Sequence, residues 1–113
     1  MARVDATCEK ILKLGKKQKL DAIIKYSNDN DDVIRTYAAQ AMGMIKTYES
    51  GMALIPLLRD SSPSVRAAAA TAAADISAKH CEEYVKKLAF ADADPNVQAA
   101  AKEAFQRLKT SVL

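Results

Sequence analysis

The chain has 113 residues, half of them apolar, with 22 alanines against three glycines and three prolines and a net charge of +3. Ala is the best helix former and Gly and Pro the main breakers, so this balance argues against a sandwich or barrel, which needs β-branched runs and frequent turn residues. A charged fraction of 27% with ample aliphatic content argues against disorder, and no apolar run approaches the ~20 residues of a membrane span.

The first segment, residues 1–17, places Val4, Cys8, Ile11 and Leu12 at offsets 0, 4, 7 and 8, one face of a helix that Gly15 punctuates. It lacks a long apolar stretch and a small-residue cleavage site, so it does not read as a secretory signal. Residues 1–20 carry six Lys or Arg against two acids, and residues 21–34 carry one Lys against four Asp. The simplest reading is a solvated helix face; a basic end beside an acidic turn also suits the steering of a charged partner.

From residue 18 onward the chain repeats itself. Segments starting at Ile34, Val65 and Val97 read IRTYAAQAMGMI, VRAAAATAAADI and VQAAAKEAFQRL, with anchors 31 and 32 residues apart. Offset 4 is Ala38, Ala69 and Ala101; offset 7 is Ala41, Ala72 and Ala104; offset 8 is Met42, Ala73 and Phe105; offset 11 is Ile45, Ile76 and Leu108. These offsets form one helical face, and alanine at the same two places in every copy predicts a close approach of neighbouring backbones. Asp29, Asp60 and Asp92 each lie five residues before their anchor, and before them stand the shorter apolar segments LDAIIKY, MALIPLL and EYVKKLAF. Each copy therefore predicts a short helix, a tight turn and a longer second helix. Ser62-Pro63 and Asp94-Pro95 supply a capping side chain before a proline at the first helical position, and Asp31 and Asp32 serve in the first copy. Pro56 falls inside a first helix, where it should remove a hydrogen bond and bend the axis. The expected divisions are a partial repeat at 1–17 and full repeats at 18–47, 48–78 and 79–113.

Residues 58–76, LRDSSPSVRAAAATAAADI, resemble the HEAT-like repeat typified by phycobilisome lyase subunits and many small prokaryotic proteins. That family's pattern is Leu-x-Asp-x-x-Pro-x-Val-Arg-x-x-Ala-x-x-Ala, which the second copy matches with a one-residue shift of the first alanine. The third copy keeps Asp, Pro and Val but has Gln98 in place of Arg; the first keeps Arg35 and lacks the proline. The resemblance covers roughly residues 20–110. It implies an all-α, right-handed α-α superhelix, here a lone N-terminal helix followed by three helix pairs, with second helices on the concave side. It also implies that Arg35 and Arg66 reach carboxylates such as Asp29, Asp60 or Asp92, a structural ladder between repeats whose last rung, at Gln98, is weaker.

With the core offsets turned inward, the second helices leave a shallow strip. Tyr37, Gln40 and Met44 lie on one side, Thr71 and Asp75 in a nearly bare middle, and Glu103 and Arg107 on the other side. A smooth centre flanked by Tyr37 and Arg107 suits a partner helix or extended segment. Alanine is also simply good helical filler there. The ends keep Ile11, Leu12 and Leu14 at one side and Leu108, Val112 and Leu113 at the other, so pairing of two copies through an end is expected if nothing covers them.

A single histidine, no Gly-rich phosphate loop, no nucleophile elbow and no HExxH argue against an enzyme acting alone. His80-Cys81-Glu82-Glu83 reads as a helix start with a first-turn acidic pair, since adjacent helical residues point in different directions and do not assemble a metal site. Cys8 and Cys81 are too far apart in such a stack to be bridged; reduced thiols point to the cytoplasm. No cofactor is implied. The leading expectation is a non-catalytic scaffold that binds a protein through its concave face. The alternatives are nucleic-acid binding through Arg3, Lys10, Lys13, Lys16, Lys17 and Lys19, or an accessory subunit of a lyase-type enzyme. The basic patch has no interleaved aromatic and is followed at once by Asp29, Asp31 and Asp32, which argues against nucleic acid.

Overall fold

Alanine-rich, glycine-poor segments with a 3.6-residue apolar period form helices that must bury one face against a neighbour, and the computed structural model shows how they do so. It describes the backbone of residues 2–111 and the side chains of residues 4–111; Val112, Leu113 and the Arg3 side chain lie outside the described residues. The helices are α1 (Ala2–Lys16), α2 (Leu20–Tyr26), α3 (Asp32–Met42), α4 (Tyr48–Leu57), α5 (Pro63–Asp75), α6 (Glu82–Ala91) and α7 (Pro95–Thr110). A 3₁₀ turn at Lys79–Cys81 leads into α6. There is no strand among the described residues, and no helix is long and apolar enough to cross a membrane.

The α2–α3, α4–α5 and α6–α7 pairs follow the lone α1. Helices α1, α3, α5 and α7 pack in series, each against the next, whereas α2 and α4 each lie across two neighbouring helices of that row and α6 packs on α7. The closely spaced row is the inner, concave one and the splayed row the outer, convex one, and the whole measures 37 × 30 × 17 Å. Ala38, Ala41, Ala69, Ala72, Ala101 and Ala104 are all buried between second helices. Helix α5 lies in the middle with α3, α7 and α4 around it. That is why it is apolar on nearly every side while α1 and α7 keep a polar face.

Several local expectations are corrected. Gly15 does not end α1: it lies within the helix, where an added Cβ would come within 2.8 Å of Met44 Sδ and 3.1 Å of the Ala41 carbonyl oxygen. The turn is made instead by Gln18, with φ 61°. The Lys19 N–H bonds the Leu14 carbonyl at 2.9 Å, and Gln18 Nε2 bonds the Met44 carbonyl at 3.0 Å. Asp31 and Asp94 cap α3 and α7 through their carboxylates, but Ser62 does not cap α5. Its hydroxyl donates to Asp32 Oδ2 of the preceding repeat at 2.8 Å, linking two turns. Pro56 does lie inside α4, in its last turn, where it cannot donate the helical hydrogen bond to the Met52 carbonyl. Ile11 and Leu108 are fully buried rather than exposed at the ends, and Leu12 and Leu14 are half-buried. The Leu108 carbonyl also accepts Lys79 Nζ at 2.6 Å.

The last repeat is finished differently from the others. Offset 5, Ala39 and Ala70, is fully buried, but in α7 it is the exposed Lys102. Offset 9, Gly43 and Ala74, faces the next helix, and in α7 it is the exposed Gln106. A lysine and a glutamine at these positions give this side of α7 a polar surface.

Gly43, at the end of α3, lies close against α5: an added Cβ would lie 3.0 Å from Ala72 Cβ and 3.1 Å from Ala72 Cα. Backbone on the far side leaves little room to yield, so Gly43→Val is expected to lower unfolding free energy by about 1–3 kcal/mol through overpacking. Urea unfolding followed by circular dichroism checks this; an unchanged midpoint would mean that α3 and α5 are not held at this spacing.

Candidate functional site

The concave row and the turns beside it carry nearly all the side chains singled out by the sequence. At the turns, Arg35 Nε and Nη2 donate to the two carboxylate oxygens of Asp60 at 2.9 and 3.0 Å, and its Nη1 donates to the Asp29 carbonyl at 2.8 Å. Arg66 repeats the pattern one copy later, bidentate to Asp92 at 2.8 and 3.1 Å with Nη1 on the Asp60 carbonyl at 2.8 Å. Each guanidinium thus ties its own turn to the carboxylate of the next repeat, the fork geometry that suits Arg and not Lys. Asp29, the first of the three, uses its carboxylate on the Asp31 N–H at 2.9 Å. Gln98 donates to the Asp92 carbonyl at 2.7 Å. It reproduces the half of the pattern made within a turn and carries no charge toward a following repeat.

These pairs are well shielded, with the Asp92 side chain only 5% exposed. The hydrogen bond from Arg66 holds Asp92 below the usual carboxylate range against the opposing effect of burial. Burial alone would raise Asp60, but the Arg35 guanidinium and the Ser62 N–H outweigh it and bring it below its ordinary value. The two thiols go the other way. Burial pushes Cys81 up to about 11, and its S–H faces the Gly51 carbonyl at 3.3 Å. Burial, then the nearby Asp5 and Asp31 carboxylates, raise Cys8. Both cysteines are free, buried and held as thiols, without the low-pKa surroundings of a reactive nucleophile. His80 stacks on Tyr48 with centroids 4.4 Å apart. Among the described residues no group of three His, Cys, Asp or Glu side chains is placed to hold a metal.

On the concave strip, Gln40, Met44, Thr71, Asp75, Glu103 and Arg107 are exposed and Tyr37 is half-buried. Arg107 Nη2 donates to Asp75 Oδ1 at 2.8 Å, so these two side chains form one exposed pair bridging α5 and α7 rather than two separate features. Ala74, beside Asp75, is buried. Thr36 Oγ1 and Ser64 Oγ are 3.3 Å apart at the top of the strip. The result is a polar floor with Tyr37 and Met44 at one side and the Asp75–Arg107 pair at the other. Lys102, exposed on α7, was not singled out by its sequence because its offset holds buried alanine in the earlier copies.

The model for HEAT repeats matches residues 51–112, more than half of the chain, and the chain belongs to that family. Among solved structures, a chain of the CpcE–CpcF complex of phycocyanin lyase from Nostoc sp. PCC7120 superposes with a TM-score of 0.75 at 24% identity, over 96% of this chain. The present chain spans 45% of that longer one. This likeness establishes the shared helical-repeat fold. No curated protein matches the sequence.

Removing Arg66 leaves the shielded Asp92 carboxylate without its counter-charge, so Arg66→Ala is expected to cost about 3 kcal/mol at neutral pH. Gln98→Ala removes one neutral hydrogen bond, about 1 kcal/mol. Thermal melts of the two variants check the difference, and equal shifts would remove the ladder as a stabilising element. Because Asp60 and Asp92 are depressed in the folded state, their contribution is whole above the ordinary aspartate value of 3.8 and is lost as pH falls through it toward the folded value. The melting gap between wild type and Arg66→Ala is therefore expected to narrow between pH 5 and pH 3, on the order of two pH units of scanning around the aspartate range.

Proposed function

We propose that this member of the HEAT-repeat family is a non-catalytic interaction module that holds a protein segment along the concave row of α1, α3, α5 and α7. The observation that carries this reading is the strip itself. An almost featureless centre, set by small residues on α5, lies between a half-buried aromatic with an exposed methionine and an exposed Asp–Arg pair. A helix or extended chain reaches such a floor without steric obstruction, and Tyr and Arg are the side chains that most often anchor partners at interfaces. The repeat divisions at 1–17, 18–47, 48–78 and 79–113 belong to the same proposal, each repeat adding one helix to the strip.

The likeness to a subunit of a two-protein complex supports a protein as the partner and gives a second reading, an accessory subunit that pairs with another helical-repeat protein. Pairing of two copies through an end ranks below these, because the polar surface of α7 leaves Phe90, 67% exposed on α6, as its chief support. Nucleic acid ranks below too: Lys10, Lys13, Lys16, Lys17 and Lys19 are exposed, but they sit at one end beside the Asp29–Asp32 turn.

Affinity capture from the host lysate, with and without nuclease, is the test. A discrete protein retained by the wild type and surviving nuclease is expected to be lost, by at least about tenfold in affinity, from Tyr37→Ala/Arg107→Ala. Capture that is intact in this double variant would place the contact elsewhere, and capture abolished by nuclease would move it to the lysines of α1.

A further inference from the structure

The outer row holds a feature that the concave strip does not account for. Between α4 and α6 the splayed helices leave a groove of about 510 Å³. Leu58 and Leu88 form its floor, Tyr84 stands along one wall, 39% exposed, and Arg59 and Lys87 stand at its rim. The volume lies within the range of specific ligand sites. The corresponding cleft between α2 and α4 has no such character. Ser27 and Asn28 occupy there the positions of Leu58 and Arg59, and its lining is mainly Asn, Asp and Ser. The floor residue Leu58 is the leucine of the repeat pattern, and what sets this junction apart from the α2–α4 cleft is its rim, with Arg59 in place of Asn28.

Its arginine differs from the other arginines whose side chains are described. Arg35, Arg66 and Arg107 each commit their guanidinium to a carboxylate. Arg59 is exposed and forms no ion pair among the described residues, and the same holds for Lys87. Two uncommitted cations beside an apolar floor match a ligand with apolar bulk and negative charge together. A bare anion would leave Leu58, Leu88 and Tyr84 unused, and an uncharged helix would leave Arg59 and Lys87 unused. We propose that the α4–α6 groove binds an acidic peptide segment, seating one bulky apolar side chain against Leu58, Leu88 and Tyr84 and placing flanking carboxylates on Arg59 and Lys87. The one rim acid outside the ladder pair, Glu83, opposes such a ligand and sets its affinity below what the cations alone would give.

Selection of random 12-residue displayed peptides against the whole protein, with Arg59→Glu/Lys87→Glu as the counter-selection, tests this directly. Enriched sequences are expected to carry Asp or Glu beside Phe, Leu, Tyr or Trp. By fluorescence anisotropy a labelled representative should lose at least tenfold in affinity with Arg59→Glu/Lys87→Glu, lose affinity with Tyr84→Ala, and weaken with added salt. With Glu83→Gln it should bind more tightly, a gain that loss of folding cannot produce. Amide shifts on binding should fall on α4 and α6, and Tyr37→Ala should leave the affinity unchanged, which separates this site from the concave strip. Neutral or basic consensus sequences, equal binding by the charge-reversed variant, shifts confined to the concave row, or no enrichment would each overturn the proposal.

Discussion

How near α3, α5 and α7 can come to one another decides the rest of this structure. Helices pack at roughly 8–10 Å depending on the side chains between them, and here alanine or glycine fills the closest positions at Ala38, Ala41, Gly43, Ala69 and Ala72. The inner row is therefore tight, while the outer helices, with Leu54, Leu57, Val85 and Leu88 beneath them, stand further apart. A two-layered stack with unequal spacing must curve. The curvature yields two different surfaces from one cause: a smooth inner strip where the helices nearly touch, and grooves where the outer helices separate.

The Arg–Asp pairs complement this packing rather than duplicate it. Small side chains supply little directional information, so helices that meet through alanine can slide or rotate at low cost. A bidentate guanidinium fixed to two carbonyl oxygens of its own turn and to the carboxylate of the next fixes register at the edge of each interface. The shielding of Asp92 means that this register signal is costly to break but is of modest net value against an apolar substitute. Its place in the fold is specificity of stacking. Gln98 ends the series without a buried unpaired charge, and Lys102 and Gln106 finish the adjoining face.

Much of this was legible in the chain. Alanine at two registered offsets marked the inner row, and the Asp and Pro positions marked the turns. The Arg of the motif marked the ladder, although not which carboxylate it would take. What escaped had a common physical origin: it depended on what lies across an interface rather than along a helix. Offsets 5 and 9 are contact positions in α3 and α5, but the terminal copy breaks their pattern with Lys102 and Gln106, and a test of agreement among three copies discards them. Gly15 looked like a terminator because glycine often is one, whereas its missing Cβ admits Met44. Ser62 looked like a cap, but its hydroxyl donates to the neighbouring Asp32, whereas Asp94, also before a proline, does cap its helix.

The same reasoning separates structural from functional departures in a repeat. A residue that differs from its counterparts at a buried contact, such as Lys102 for alanine, follows the packing around its own helix, where it is exposed. A residue that differs on an outer surface, such as Arg59 for Asn28, gains nothing from stacking that its counterpart lacks. Arg59 has neither a carboxylate to satisfy nor an interface to register. Stability therefore gives no reason for a guanidinium at that place, and a charge with no structural partner beside an apolar groove is better explained by what enters the groove than by what surrounds it.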